Sequence, residues 1–154
     1  MKRKFAAAVD DCRTLAKWRR PGLRAIKRQD QDRVAAARPR QLSGSVDIDD
    51  ALMQAHPRDP RWDYAVGCSA PSGSGDVVHW IEVHPCNDGE VRVVERKLAW
   101  LKSWLKLNAP ALTALPAEYR WVSSGPTGLS PGSPSRRRLA QAGLYVAGSR
   151  YEID

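Results

Sequence analysis

Three segments within residues 61–106 decide the fold of this protein: RWDYAVGCSA (61–70), VVHWIEVHP (77–85) and EVRVVERKLAWLKSWLK (90–106). The first two are rich in Val, Ile, Trp and Tyr and are bounded by the turn sequences PSGSGD and CNDG, which indicates two strands. The third has apolar residues at helical spacing and follows a turn. The sequence therefore predicts a strand–turn–strand–helix unit.

Polar residues in the two strands suggest a site. Strand alternation puts Val78, Trp80, Glu82 and His84 on one face of the second strand. A carboxylate in so apolar a strand is costly unless a cation or a metal ion receives it. Asp63 stands near the start of the preceding strand and could converge on Glu82 in an antiparallel hairpin. Because two close carboxylates repel each other, a divalent cation such as Mg²⁺ would stabilise the pair.

The helix places one charged residue among apolar ones. On a helical wheel Lys97 falls inside the apolar arc. Its aliphatic stem could carry the ammonium group out to water, or the side chain could lie over the sheet and meet Glu82 or a bound phosphate. The rest of the arc consists of Val91, Val94, Leu98, Leu101 and Leu105, extended by Val93, Trp100, Trp104 and Leu107.

This pattern of Asp, Glu-x-(basic) and helix resembles the PD-(D/E)XK nuclease-like superfamily. The resemblance implies an α/β fold with a restriction-endonuclease-like αβββαβ core, a central mixed sheet flanked by helices. It matches Asp63 and Glu82 to the metal-binding acids, puts His84 where the lysine stands, and puts Trp62 where a proline is often found. Because active-site residues sometimes move to a neighbouring element in this superfamily, Lys97 could replace the missing lysine.

The resemblance implies a metal-dependent nuclease that hydrolyses phosphodiester bonds in nucleic acid. Asp63 and Glu82 would hold Mg²⁺ or Mn²⁺, and Lys97 or His84 would act on the attacking water. The departure at His84 favours a second interpretation, a catalytically decayed module that binds nucleic acid or a protein without catalysis. A Glu82–Lys97 ion pair with no metal, and a basic protein that docks on another protein, also remain open.

Bulk composition supports a polyanionic partner. The 154 residues carry a formal net charge of +8 and a sequence pI near 9.8, which favours a nucleic-acid partner over a merely soluble basic protein. We expect DNA before RNA as that partner. Six tryptophans argue against disorder. We expect a basic helical region over residues 1–40 and a nuclease-like domain over 41–154, forming one compact unit. The oligomeric state is left open.

Two basic segments are candidates for nucleic-acid binding. Residues 2–20 predict one amphipathic helix, with basic residues Lys2, Arg3 and Lys4 at its start. Arg136, Arg137 and Arg138 fall in the first turn of a helix opened by Ser133-Pro134, where guanidinium groups and free N–H groups can bind an anion. Solvated faces of packed helices would explain both segments equally well.

Other segments complete the predicted fold. QLSGSVDID (41–49) predicts a first strand, with Asp49 or Asp50 capping the helix DALMQAH, and Asp47 is a possible extra carboxylate for a metal. A fourth strand is expected from Glu118 to Ser124. LYVAGSRYEI (144–153) predicts a closing strand, bent at Gly148.

The three cysteines and the lack of long apolar segments indicate the cellular compartment in which the protein is expected. An odd number of widely spaced cysteines favours a reducing cytoplasm over a disulfide framework. No apolar segment suits a membrane span, and the N-terminal one is too short for a signal peptide. A zinc site using His84, Cys86, Cys68 and His56 is a weaker alternative, since no CxxC or HxxxH pair is present.

Overall fold

The computed structural model describes residues 3–154, which form a six-stranded mixed sheet flanked by helices and a small two-stranded sheet. The strands are β1 (Arg19–Arg20), β2 (Val34–Ala36), β3 (Leu42–Asp47), β4 (Tyr64–Ser69), β5 (Asp76–Cys86), β6 (Ala117–Thr127), β7 (Leu144–Gly148) and β8 (Tyr151–Ile153). The helices are α1 (Phe5–Asp10), α2 (Arg13–Ala16), α3 (Ile48–Met53), α4 (Val91–Asn108), α5 (Pro110–Thr113) and α6 (Pro134–Gln141). Short 3₁₀ turns occupy Arg28–Arg33, Pro39–Gln41 and Asp88–Glu90.

The large sheet has the order β1-β3-β4-β5-β6-β7. Strands β3, β4 and β5 pair antiparallel, whereas β6 pairs parallel to β5, and β7 pairs parallel to β6. Helix α4 makes the connection from β5 to β6, because a parallel pair needs a crossover. The hairpin, the helix and the α/β class with a mixed central sheet are as the sequence predicts. The small sheet pairs β2 with β8 in parallel.

Strand alternation divides the core into two clusters. Val78, Trp80 and Trp121 belong to the cluster that includes the buried stripe of α4. Ile81 and Val122, which alternate with them along β5 and β6, belong to the cluster on the opposite side. The predicted faces of β5 are therefore confirmed, and Glu82 shares the α4 face.

Helix α4 buries most of its predicted stripe, namely Val91, Val94, Leu98, Leu101, Trp104 and Leu105. The extension of that stripe to Leu107 is wrong, since Leu107 is 82% exposed. This residue lies at the edge of the apolar arc in the last turn, where the helix ends. Within residues 3–154, no helix combines the length and the apolar character needed to cross a membrane.

The N-terminal region departs from the prediction of one helix over residues 2–20. It forms α1 and α2, separated by Cys12 in an extended conformation, and then the short edge strand β1. Tertiary contacts fix α1, because the buried Asp76 carboxylate accepts the Phe5 N–H at 2.9 Å. The Phe5 ring lies so close to β4 that a Cβ on Gly67 would come within 2.2 Å of its Cγ.

Two further local predictions are corrected. Helix α3 is capped by Asp47, whose Oδ1 accepts the Asp50 N–H at 2.9 Å, because the helix begins at Ile48 and leaves Asp49 and Asp50 inside its first turn. The closing segment forms two strands in different sheets, since Gly148 turns the chain at a φ of +79°. The predicted opening of α6 at Ser133 is confirmed by its hydroxyl, which accepts the Arg136 N–H.

Candidate active site

Asp63 and Glu82 come together at the end of the β4–β5 hairpin that lies farthest from its turn. The register pairs Tyr64 with Ile81, which places Asp63 opposite Glu82. Two hydrogen bonds join the strands there: the Asp63 N–H donates to Glu82 Oε1 at 3.2 Å, and the Val83 N–H donates to Asp63 Oδ2 at 2.9 Å. The structure therefore brings the two predicted carboxylates to one point.

Lys97 reaches the same point from α4. Its Nζ donates to Glu82 Oε2 at 2.5 Å, and Glu82 is fully buried. Burial alone lowers the pKa of Lys97, but the charge and the hydrogen bond of Glu82 outweigh burial, so the net pKa is raised. The lysine inside the apolar arc is thus a charged partner of the buried glutamate.

His84 lies between two carboxylates. Its Nδ1 is 3.5 Å from Glu82 Oε2, and its Nε2 is 3.0 Å from Glu90 Oε2. The hydrogen bond to Glu82 raises the pKa of His84, burial opposes it, and the hydrogen bond to Glu90 adds to the increase. Sequence reasoning does not single out Glu90 as a site residue. The signal it missed is the short CNDG turn, which brings Glu90 back beside the strand.

The environment of Asp63 favours its protonated form. Burial and then the Glu82 charge raise the pKa of Asp63 to about 8, against the opposing effects of Lys97 and the Val83 N–H. At neutral pH the protonated form of the Asp63 carboxyl is therefore favoured. The site can hold a proton on Asp63 and a positive charge on Lys97 within reach of one buried carboxylate.

Helix α3 supports the backbone of the site. The Asp63 carbonyl accepts the N–H groups of Ile48 and Asp49, at 2.9 and 3.4 Å. Asp49 is held in turn by Arg61 Nε at 2.9 Å. Lys27 Nζ lies 3.3–3.4 Å from the carboxylates of Asp47, Asp49 and Asp50. Asp47, the possible extra carboxylate, is thus paired with Lys27 and caps α3.

The predicted nucleic-acid contacts lie in two separate places. Lys2 lies outside the described residues. Arg3 donates to the Ala114 carbonyl at 2.8 Å, and Lys4 Nζ is 3.9 Å from Asp76, at the opposite end of β5 from Glu82. Neither residue is close to the carboxylate pair.

The arginines of α6 lie nearer to the site. The start of this helix is tied to the turn after β5, because Ser135 Oγ donates to Asp88 Oδ1 at 2.7 Å. Arg136 donates to the Leu129 carbonyl and Arg138 to Glu95, whereas Arg137 is exposed. Part of this basic segment is therefore used within the fold, and Arg137 with the 58%-exposed Arg138 remains at the surface.

A metal ion at this site would have two carboxylate ligands from the chain. Across residues 3–154, no group of three or more His, Cys, Asp and Glu side chains is arranged to hold a metal. Mg²⁺ commonly binds proteins through one or two carboxylates and keeps several waters, so Asp63 and Glu82 suit it by number and chemistry. The weaker zinc alternative lacks convergence, since Cys68 is buried in the cluster on the other side of the sheet from Cys86.

Comparison with known protein families, curated proteins and solved structures found no match to this chain. The function must therefore be argued from the geometry of the site.

Proposed function

We propose that this protein is a metal-dependent nuclease of the PD-(D/E)XK type that hydrolyses phosphodiester bonds in nucleic acid. The observation that carries the proposal is the convergence of Asp63, Glu82 and Lys97 on one point of the sheet. These are the two acids and the lysine that such a site needs. Asp63 directly precedes β4, Glu82 lies in β5, and Lys97 lies in α4.

The order of elements supports the same assignment. Along the chain, helix α1 precedes the antiparallel strands β3, β4 and β5, and helix α4 then leads to the parallel strand β6. Shorter elements intervene: α2, β1 and β2 before β3, α3 before β4, and α5 before β6. This order supports the αβββαβ core that the resemblance to the superfamily implies. Strands β1 and β7 extend the sheet at its two edges, and helix α6 connects β6 to β7.

Each side chain has a role that follows from its position. Asp63 and Glu82 would hold Mg²⁺ or Mn²⁺, with Asp63 giving up its proton on binding. A bound divalent ion supplies a water of lowered pKa and positive charge beside the scissile phosphate. Lys97 Nζ, anchored on Glu82, can orient that water or a phosphate oxygen. His84 can accept or donate a proton, with Glu82 and Glu90 orienting its ring.

Calorimetric titration with Mn²⁺ tests the metal site. We expect the parent protein to bind Mn²⁺ and both Glu82→Gln and Glu82→Ala to lose binding, while the control Asp32→Ala, an exposed carboxylate remote from the pair in sequence, keeps it. Circular dichroism establishes that each variant is folded. Absence of binding to the folded parent at millimolar Mn²⁺ would contradict the nuclease proposal.

One observation favours a second function, a decayed module that binds nucleic acid without catalysis. Both oxygens of Glu82 already have protein partners, with the Asp63 N–H on Oε1 and Lys97 on Oε2. A histidine also replaces the lysine of the motif. DNA binding that persists in EDTA and in Glu82→Gln, together with no cleavage at any Mn²⁺ concentration, would select this second function.

A further inference from the structure

A cavity of about 380 Å³ lies beside the candidate site, between the C-terminal half of α4, the start of β6 and the segment around α5. Its volume falls within the range of small-molecule sites, about 300–1,000 Å³. The lining combines Trp80 and Tyr119 with leucines and two lysines, Lys102 and Lys106.

The aromatic part of the cavity is held rigidly. The Tyr119 and Trp80 rings are stacked within 14° of parallel, with their centroids 6.5 Å apart. The Trp62 ring meets Tyr119 edge-on at 6.5 Å. Trp62 and Trp80 are almost fully buried, whereas Tyr119 is half-buried. Tyr119 therefore offers a fixed ring to a planar ligand.

The charges of the cavity are positive. Lys102 Nζ lies 4.9 Å from the centroid of the Tyr119 ring and donates to the Ala142 carbonyl at 3.2 Å. Lys106 follows one helical turn later, and both lysines are exposed. Among the residues that the structure describes, neither lysine has a carboxylate within 4.0 Å, and the lining has no acidic residue. A flat ligand with a negative charge fits this combination.

The same two elements carry the cavity and the carboxylate site. Trp80 precedes Glu82 by two residues on one face of β5, a separation of roughly 7 Å. Lys102 follows Lys97 by five residues on α4, an axial separation of about 7.5 Å. The step from Glu82 to Trp80 and the step from Lys97 to Lys102 point in the same direction, because α4 runs antiparallel to β5 to reach the start of β6.

We propose that this cavity binds one nucleotide of a single-stranded nucleic acid, with its base on Tyr119 and its phosphate at Lys102 and Lys106. The proposal rests on the nuclease function and narrows its substrate to strands with an unpaired nucleotide beside the scissile bond. Lys102 covers the face of Tyr119 that does not stack on Trp80. A base that binds there takes the place of the Lys102 ammonium, which then turns to the phosphate. Stacking of this kind accepts every base.

Calorimetry in EDTA with dAMP and 2-deoxyribose 5-phosphate tests the cavity without the metal site. We expect dAMP to bind about tenfold more tightly than the sugar phosphate, because stacking on one aromatic ring contributes a factor of this order. Tyr119→Leu should remove that difference, and Lys102→Gln/Lys106→Gln should weaken both probes. The matched control is Arg13→Gln/Lys17→Gln, which removes two exposed charges outside the cavity lining and should leave binding unchanged.

Competition with a short oligodeoxyadenylate separates a strand from a free nucleotide. We expect the oligonucleotide to displace dAMP, and Tyr119→Leu to weaken its binding as well. No dAMP binding at millimolar concentration, equal binding of the two small probes, or an oligonucleotide that does not compete would overturn the proposal. Glu82→Gln should bind dAMP like the parent, so a failed metal site and a failed nucleotide cavity give different results.

Discussion

At the scale of the residue, Glu82 is a fully buried carboxylate, which is costly in a sheet of apolar side chains. A fully buried carboxylate must be paired, and its partner Lys97 is only 20% exposed along its side chain. Buried ion pairs are seldom net stabilising, but removing one partner leaves an uncompensated charge. Stability alone therefore does not explain this pair in an otherwise apolar layer, whereas a role in the proposed metal site does.

Lys97→Met should destabilise the protein by about 3 kcal/mol, because Glu82 loses its counter-ion while it remains buried. Lys97→Met/Glu82→Leu should recover a large part of this loss by removing both charges. Urea unfolding measures both values, with Lys106→Met as the control on the exposed side of α4 and an expected change within about 0.5 kcal/mol. A single-variant loss no larger than that of the control would show that the pair is not buried in solution.

Asp63→Asn should change the pH dependence of stability. The folded pKa of Asp63, about 8, lies above the unfolded value of about 3.9. Folding therefore favours the protonated form of Asp63. Its stabilising contribution to the free energy of unfolding is fully present below pH 4 and is lost as the pH rises through 8. We expect the parent to lose stability relative to Asp63→Asn over this interval, by more than the roughly 1.4 kcal/mol of one pKa unit.

Denaturant unfolding of both proteins at intervals from pH 4 to 9 measures the difference. A constant difference across that range would mean that Asp63 ionises normally in the folded protein. The Asn variant retains an oxygen that can accept the Val83 N–H, so the comparison isolates the charge.

At the scale of the element, the docking of α1 on β4 depends on the absence of one side chain. Gly67 has an extended backbone that any residue can adopt, so its role is to leave space for Phe5. Asp76 holds the start of the same helix and also accepts the Ser43 hydroxyl at 2.8 Å. Packing and this buried hydrogen-bonded carboxylate fix a helix of six residues, which is too short to be stable alone.

Gly67→Ala should destabilise the protein by about 1–3 kcal/mol, the usual cost of overpacking a filled core. The added methyl group would displace Phe5 and with it α1. Thermal unfolding measures the change, and Gly125→Ala, where an added Cβ meets nothing within 4 Å, is the control. If the two variants unfold alike, α1 does not pack on β4 as described. Phe5→Ala should relieve part of the effect of Gly67→Ala.

At the scale of the whole molecule, the charge of +8 is not spread evenly. The carboxylates of Asp47, Asp49 and Asp50 are gathered around Lys27, while Arg92, Arg96, Lys102 and Lys106 cover the outer side of α4. Arg137 and Arg138 add to this basic side from the neighbouring α6. A polyanion would therefore meet the molecule along α4 and α6.

Binding of a DNA oligonucleotide should weaken steeply with salt if this surface contacts phosphates. The slope of log K against log salt is about −0.7 to −0.9 for each phosphate contacted. Fluorescence anisotropy from 50 to 200 mM salt measures it, and Arg92→Gln/Arg96→Gln should reduce the slope by about 1 to 2. The control Arg13→Gln/Lys17→Gln removes two exposed charges, one in α2 and one directly after it. An unchanged slope in the α4 variant with a reduced slope in the control would place the contacts at the N-terminal region instead.

The sequence predicts the central part of this fold well and its edges poorly. Alternation in β5 and the wheel of α4 place Glu82 and Lys97 on facing surfaces, because both elements are long and strongly periodic. Residues 2–20 show the same periodicity, yet the helix is interrupted at the extended Cys12, and the segment ends in β1, which pairs with β3. Glu90 was missed because its contact with His84 depends on how one turn folds back, which periodicity does not describe.

The sequence by itself determined the hairpin, the helix that follows it, and the side chains that face each other across them. These follow from local periods of two and 3.6 residues and from turn residues, which need no knowledge of distant contacts. Only the tertiary structure decided that Lys97 pairs with Glu82, that burial beside Glu82 raises the pKa of Asp63, that Asp47 caps α3, and that Lys102 lies over Tyr119. Such features depend on distances of a few ångströms and on burial, which arise only when elements far apart in the chain are packed together.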